Sequence, residues 1–431
     1  MTNNVLPVPL PVDLVSPDPL PVDIVKPLFS KTAFGELSVA QPTPIVQMAA
    51  NYGLTGKAFT FTLGAGTAIA EDSLFKVNTT ASANSFASLL TNKQLIYRPG
   101  QGALGRLTAV FTEGVANSRQ VAGLITATDS LAFGYLNADF GVFYSHSGKV
   151  ELQTLTVTTP SGGAENATVT VNGTGYTVPL TAGTVEHNAF EIAESLNSQV
   201  VGFEFTSNNS SVVSAPVVSG PATGAYAFTS GTAVAAWVQD VAGVATTDEF
   251  TAQSSWNRDT SPTLDPTLGN VYQIRFQYLG FGGISFYIEN PVTTEFDLVH
   301  VIEYANSRIV PSVTNPSFRI GWAATNMANT SEVEVMGSSI GGFVEGTPIL
   351  TEDPRSLEAE IIGLGTAAQL NLITIRNRLV FGKQRNRAPI FAIKVTGLTG
   401  SAKGAILRVS KNATIAGDLD FQYVDNATSI T

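Results

Sequence analysis

Cysteine is absent from the 431-residue chain. Its absence excludes disulfide bonds, thiolate nucleophiles and cysteine-ligated metal sites together. Stability must therefore come from burial and subunit association. A protein made in a reducing cytosol and a bacterial surface protein would both fit this composition, so the final compartment stays open.

Charged residues are also scarce, at 13% of the chain, and the net charge is −11. Binding to DNA or RNA needs dense Lys/Arg surfaces that release counterions, so we expect no nucleic-acid partner. No stretch approaches about 20 uninterrupted apolar residues, and the first residues lack the basic-then-apolar pattern of a secretory signal. We expect neither a membrane span nor export by that route.

Hydrophobic residues reach 44%, and Gly, Ala, Ser, Thr and Asn dominate the remainder. This composition favours close-packed strands joined by polar turns. A chain of this length is expected to form two to four β-rich domains of roughly 100–150 residues each.

Residues 1–30 carry a near-repeat, PLPVDLV at 9–15 and PLPVDIV at 19–25. Alternate prolines fix φ at about −65° and remove amide donors, which favours an extended chain. Aliphatic residues recur between the prolines, unlike in a polar linker. We predict a docking arm, with a disordered tail as the alternative. The docking residues would be Val8, Leu10, Val12, Leu14, Leu20, Val22 and Ile24.

Two segments, 31–157 and 248–350, contain short runs of alternating apolar character separated by turn residues, which indicates strands of an antiparallel sandwich. The clearest predicted strands are 93–98, 105–111, 120–125, 131–135, 140–144, 271–278, 284–289, 298–304 and 318–324. The economical interpretation is one sandwich interrupted by an insertion, because a domain placed at a loop tip leaves the host core intact.

The insertion, residues 158–247, lies within a stretch that has no Lys or Arg between Lys149 and Arg258. Its Asn172-Gly173 pair predicts a hairpin. A helix is predicted near 187–198, with Asn188 capping its start. Further strands near 203–206 and 225–229 would complete a small α+β module with one sheet.

Residues 351–431 read as a separate C-terminal β-domain. They hold the only dense positive region of an acidic chain, which either contacts an acidic neighbouring subunit or forms a solvated hairpin rim. Its members are Arg376, Arg378, Lys383, Arg385 and Arg387.

Motifs for catalysis are weak. The three histidines, His146, His187 and His300, show no metal-ligand spacing, and no Gly-X-Ser-X-Gly elbow is present. The acidic pairs Glu332 with Glu334 and Glu289 with Glu295 do not match the Glu-X-Asp-X-X-Glu strand pattern of sandwich glycosidases. We therefore predict no enzymatic activity, no catalytic residues, no metal and no cofactor.

Four aromatic residues near turns could stack on sugars, although core packing is the favoured interpretation: Tyr144, Tyr226, Trp237 and Trp256.

Several segments resemble a group of uncharacterised virion structural proteins of tailed bacteriophages and other aquatic viruses. The resemblance covers roughly residues 34–346 and rests on YRPGQGA at 97–103, FTEGVANS at 111–118, LAFGY at 131–135, VHVIEYAN at 299–306 and FRIGW at 318–322. Two stretches of the insertion, 170–178 and 192–197, are also similar to a small module recurrent in phage surface proteins. The interrupted sandwich is similar to the jelly-roll or concanavalin-like lectin fold of viral attachment proteins.

The resemblance implies a component of a virus particle and does not say where on the particle it lies. Our leading hypothesis is a surface component, such as a fibre, spike or capsid-decorating protein. It would be anchored by its arm, and assemble with itself, as a homotrimer, and with other virion proteins. The alternative is a receptor-binding adhesin that recognises host surface glycan. A polysaccharide depolymerase ranks last, because the carboxylate motif is missing.

Overall fold

The computed structural model describes residues 42–346 and two short paired strands, Val380–Phe381 and Gln384–Arg385. The predicted arm, residues 1–30, lies outside the described residues. So does almost all of the predicted C-terminal domain, including the side chains of its basic cluster.

The strands are numbered in chain order. The first ten are β1 Pro42–Ala49, β2 Ala58–Leu63, β3 Thr67–Glu71, β4 Leu74–Asn78, β5 Ser85–Thr91, β6 Leu95–Ile96, β7 Ala103–Phe111, β8 Ser118–Ile125, β9 Ser130–Leu136 and β10 Asp139–His146. The module follows with β11 Leu152–Thr159, β12 Glu165–Val171, β13 Thr174–Leu180, α1 Val185–Gln199, β14 Phe203–Asn208, β15 Ser211–Pro216, β16 Ala227–Thr229 and β17 Val234–Val241. The sandwich resumes with β18 Thr247–Ala252, β19 Asn270–Phe276, β20 Ile284–Glu289, β21 Phe296–Ile302, β22 Ser317–Asn326, β23 Glu334–Gly337 and β24 Ser339–Glu345.

Two large antiparallel sheets form the sandwich. The front sheet has the order β18-β10-β9-β8-β22-β5-β2, with β6 beside β22. The back sheet runs β21-β20-β19-β7 and divides after β7. Near its start β7 pairs with β24, which in turn pairs with β1. Near its end β7 pairs with β23, which is followed by β4 and then β3. The predicted fold class, a mainly β antiparallel sandwich, is confirmed.

The core lies between the sheets because alternate residues of each strand point inward. Its largest fully buried side chains include Trp322 of the front sheet and Tyr272 and Phe111 of the back sheet. Burying such a side chain contributes about 1.5–3 kcal/mol. Two buried polar side chains are paired with the backbone: Trp322 Nε1 donates to Thr108 O at 3.0 Å, and Gln120 Nε2 donates to Thr112 O at 2.9 Å.

Strand β7 defines two ends of the sandwich, which we call the base and the crown. At the base, Ala103 lies opposite Val344, and Pro42 lies opposite Glu345. At the crown, the ring of Phe111 contacts the ring of Phe140, the second residue of β10, with centroids 5.5 Å apart. At about 3.3 Å per residue, β7 separates the two ends by roughly 27 Å.

The module contains a four-stranded sheet, β14-β15-β11-β17, and a three-stranded sheet, β13-β12-β16, where the sequence predicted one small sheet. Both share a core with α1, in which Leu155, Ile192 and Val212 are fully buried. No helix in the described part of the chain is long and apolar enough to cross a membrane.

The helix start differs from the prediction. Thr184, not Asn188, is the N-cap, and its Oγ1 accepts a hydrogen bond from His187 N at 3.2 Å. Asn188 lies inside the helix and is fully buried; its amide accepts from Ser161 N at 2.7 Å and donates to Thr181 O at 2.9 Å. Asn188 therefore ties the helix to two loops instead of capping it.

Candidate functional site

An open cleft of about 530 Å³ lies at the crown, between the β9–β10 turn and the segment that follows β18. Its size falls within the range of about 300–1,000 Å³ that is usual for small-molecule sites. The lining residues are Ala138, Asp139, Phe140, Ala252, Gln253, Ser254, Thr260 and Pro262. We call this the crown cleft.

One wall of the crown cleft is the two-residue turn between β9 and β10. Asn137 has φ of 57°, a left-handed conformation that Asn tolerates. The backbone N of Asn137 donates to Ser118 O at 2.9 Å, and its side-chain Oδ1 accepts from Asn117 N at 2.8 Å. The turn is therefore fixed, and it places Asp139 at the first position of β10.

The opposite wall is a single 3-10 turn, Gln253–Ser255, directly after β18. Gln253 Nε2 donates to the carbonyl oxygens of Thr260 and Ser261, at 3.0 and 2.9 Å. These bonds hold the 260–262 loop against the turn. Pairing of β10 with β18, in which Gly141 lies opposite Ala252, brings the two walls together.

Asp139 is exposed, and its carboxylate has no hydrogen bond or ion pair with any residue in the described ranges. The side-chain hydroxyls of Ser254 and Thr260 likewise have no hydrogen-bond partner within residues 42–346. A carboxylate accepts hydrogen bonds at two oxygens, and a hydroxyl both donates and accepts. The crown cleft thus presents polar groups without partners next to small apolar surfaces, Ala138, Ala252 and Pro262.

The outer face of the front sheet is a second candidate, but the protein's own side chains occupy it. The guanidinium of Arg119 lies 4.5 Å from the ring centroid of Phe143 and forms an ion pair with Asp248 at 2.9 Å. The floor beneath consists of small buried residues such as Gly123 and Ala132. The side chain of Arg119 therefore covers this part of the face.

His146 belongs to a polar cluster at the base. Its Nδ1 is 2.7 Å from Ser147 Oγ, and its Nε2 is 3.1 Å from Glu249 Oε1. Arg308 Nη2 donates to the same oxygen of Glu249 at 2.6 Å. Burial acts to raise the pKa of Glu249, but hydrogen bonds from Arg308 and His146 outweigh it and hold this pKa below its usual range. The cluster joins β10, β18 and the 303–313 loop.

Other residues singled out in the sequence have structural contacts. Tyr144 and Trp256 are buried, which confirms core packing for both. Tyr226 and Trp237 pack edge to face, with centroids 5.1 Å apart, against the module core. Glu332 and Glu334 both accept from Asn78 Nδ2, at 2.5 and 3.0 Å. Within residues 42–346, no three His, Asp or Glu residues come together as a metal site.

The structure brings none of these sequence candidates into the crown cleft, and pattern reasoning missed the residues that line it. Asn137 lies in an ordinary hairpin turn, Asp139 begins the strand after it, and Gln253 follows a strand on the far side of the module. The only sequence signal was the polar turn between two apolar strands, which predicts a hairpin and not a site.

No protein-family model and no curated protein matches the sequence. Solved structures with a similar fold include the carbohydrate recognition domain of Emp47p, at 10% identity and a TM-score of 0.30, covering 71% of this chain and 98% of that one. A lectin from Bauhinia forficata in complex with GalNAc has 10% identity, a TM-score of 0.27, and coverage of 72% and 100%. A legume lectin-like domain from Entamoeba histolytica has 8% identity, a TM-score of 0.26, and coverage of 66% and 89%. These scores are too low to carry an argument about function, which must rest on the chain's own residues.

Proposed function

We propose that the protein is a carbohydrate-binding adhesin that holds a sugar of a host glycan in the crown cleft. The observation that carries this proposal is that Asp139, whose carboxylate has no partner among the described residues, lines the same open cleft as Ser254 and Thr260. Two adjacent hydroxyls of a sugar can donate to the two oxygens of one carboxylate, and such charge-assisted hydrogen bonds are stronger than neutral ones.

The apolar residues of the crown cleft support the same ligand class. A sugar ring presents C–H groups on its faces and hydroxyls around its edge. Pro262 and Ala252 would contact the C–H groups, while Asp139 accepts hydrogen bonds from the hydroxyls. Binding sites of this kind combine a mostly apolar lining with a few polar groups that set orientation.

Binding is favoured over hydrolysis because Asp139 is the one acidic residue among the described residues that line the crown cleft. Hydrolysis of a glycosidic bond requires a pair of carboxylates on either side of the scissile bond. A single carboxylate supplies a hydrogen-bond acceptor without the second catalytic group.

We further propose that this binding takes place at the surface of a virus particle, as a fibre, spike or decorating protein whose base faces the particle. Its support is the place where the described sandwich begins and ends: Pro42 lies opposite Glu345 at the base, the end opposite the crown cleft. Assembly as a homotrimer and contacts with other virion proteins remain predictions from the sequence.

A glycan array tests the binding proposal with the full-length protein and two isosteric variants. Asp139→Asn removes the charge from the crown cleft. Asp72→Asn removes a charge from an exposed hairpin turn, at φ of 53°, that lies outside the crown cleft. We expect reproducible glycan binding by the wild type and by Asp72→Asn, and clearly weaker binding by Asp139→Asn. Absence of binding to every glycan, or equal binding by all three proteins, would contradict the proposal.

A further inference from the structure

Four exposed apolar side chains lie together at the base, on the loops that follow β19 and β21. They are Leu279, Phe281, Ile309 and Val310, and Ile309 is 98% exposed. The two loops are in contact, since Ser312 N donates to Gly280 O at 2.8 Å and the ring centroid of Phe281 lies 6.3 Å from that of Tyr304. We call these four residues the base patch.

The base patch is held in place by tyrosine hydroxyls. Tyr304 and Tyr278 donate to the carbonyl oxygens of Val310 and Val313, at 2.8 and 2.9 Å, and Tyr144 donates to that of Ser312. The hydroxyl of Tyr97 accepts from Leu279 N at 3.1 Å. An exposed apolar surface that is ordered in advance loses little conformational entropy when a partner covers it. Contiguous exposed apolar residues of this kind mark interaction sites.

We propose that the base patch is the docking site of the chain's own N-terminal arm, residues 1–30, in the free protein. The first described residue, Pro42, lies at the base. Strands β1, β24, β7 and β19 are successive neighbours, so the end of β19 at Phe276 is about 14 Å from β1. Residues 31–41 can span up to about 36 Å when extended, which is enough to bring the arm to the base patch.

The composition of the arm matches this surface. Its Val, Leu and Ile residues recur at short spacing between prolines, so an extended chain presents several aliphatic side chains to an apolar partner. The prolines restrict the free arm and reduce the entropy lost on docking. A particle surface would compete for the same aliphatic residues, so docking on the base patch is compatible with a later role in anchoring. This inference does not depend on the crown cleft.

Hydrogen exchange of the full-length protein tests the proposal by following the amides of residues 8–25. We expect the wild-type arm to exchange about tenfold or more slowly than an unstructured peptide of the same sequence, at a rate independent of protein concentration. Ile309→Ser and the double variant Phe281→Ser/Ile309→Ser should lose this protection. Val292→Ser is the matched control, because Val292 is 88% exposed in the β20–β21 turn at the crown; it should keep the protection.

Exchange of the wild-type arm at the rate of the free peptide would overturn the proposal. So would protection that appears only as the protein concentration is raised, which would show that a second copy is the partner. Since Ile309 makes almost no contact with the fold, its single variant distinguishes loss of docking from loss of folding. Full protection in both Ile309 variants would also overturn it.

Discussion

Pro42 lies opposite Glu345 in the β1–β24 ladder, and next to this pair Thr43 Oγ1 donates to Gly346 O at 2.8 Å. The chain therefore enters and leaves the sandwich at one place, the base. Asp139 lies at the other end of the molecule, at the crown. This arrangement separates the surface available for anchoring from the surface available for a ligand.

Packing between the two sheets predicts one sensitive glycine. A Cβ on Gly337 would lie 2.3 Å from Thr108 O and 2.3 Å from Trp322 Cζ2, and neither the backbone nor a fully buried indole can move away easily. We expect Gly337→Ala to destabilise the sandwich by about 1–3 kcal/mol in urea unfolding. Gly56→Ala is the matched control, since its Cβ would contact nothing within 4 Å, and it should change stability by less than about 0.5 kcal/mol. Equal unfolding midpoints for the two variants would contradict the packing described here.

Acid should weaken the module through Glu165. Hydrogen bonds from Ala233 N and from the backbone and hydroxyl of Thr232 lower the pKa of Glu165 to about 2. A carboxyl with a lower pKa in the folded than in the unfolded state stabilises the fold above its unfolded pKa, and this stabilisation is lost as the pH falls from about 4.5 towards about 2. Urea midpoints of Glu165→Gln should therefore fall less over that range than those of the wild type or of Glu194→Gln, on the exposed side of α1. Parallel curves for the wild type and Glu165→Gln would be the contrary result.

The module should be removable at its root. Lys149 and Val244 exchange two backbone hydrogen bonds, Lys149 N to Val244 O at 2.8 Å and Val244 N to Lys149 O at 2.9 Å. A short Gly/Ser linker in place of residues 150–243 can therefore join them without strain. The host would lose contacts around Ala127 and the approach of Gly202 to Phe61, so we expect a modest decrease in Tm with cooperative unfolding retained.

The matched comparison is removal of residues 158–247, the boundaries predicted from sequence. Because β11 begins at Leu152, that deletion leaves most of β11 without β15 and β17, and it also removes Thr247 from β18. We expect a less soluble protein. Loss of cooperative unfolding after removal of 150–243 would show that the module is part of the host core.

Alternation of side chains was enough to predict most sandwich strands. The predicted strand 284–289 coincides with β20, because Ile284, Phe286 and Ile288 all face the core. The predicted strand 93–98 shortens to Leu95–Ile96, which pair only with Ser317 and Phe318. Pairing partners decide where a strand ends, and a single sequence does not contain them.

The crown cleft could not be predicted for a related reason. Asp139 and Gln253 become neighbours only because β10 pairs with β18 across the whole module, with Phe143 opposite Phe250. Periodicity identifies each strand but not the register between strands so far apart in the chain. The prediction of the helix cap was wrong for a different reason. Asn188 and Thr184 are both good capping residues, and the tertiary contacts of Asn188 decided between them.

Titration of the best glycan from the array against the full-length protein, followed by isothermal calorimetry, tests the central claim most directly. Asp139→Asn should weaken binding by about tenfold or more, as expected for loss of a charge-assisted hydrogen bond worth about 1.5–3 kcal/mol. Ala138→Trp, which fills the crown cleft, should abolish binding, and Asp72→Asn should leave Kd unchanged. An unchanged Kd in both Asp139→Asn and Ala138→Trp would contradict the assignment of the crown cleft as the glycan site.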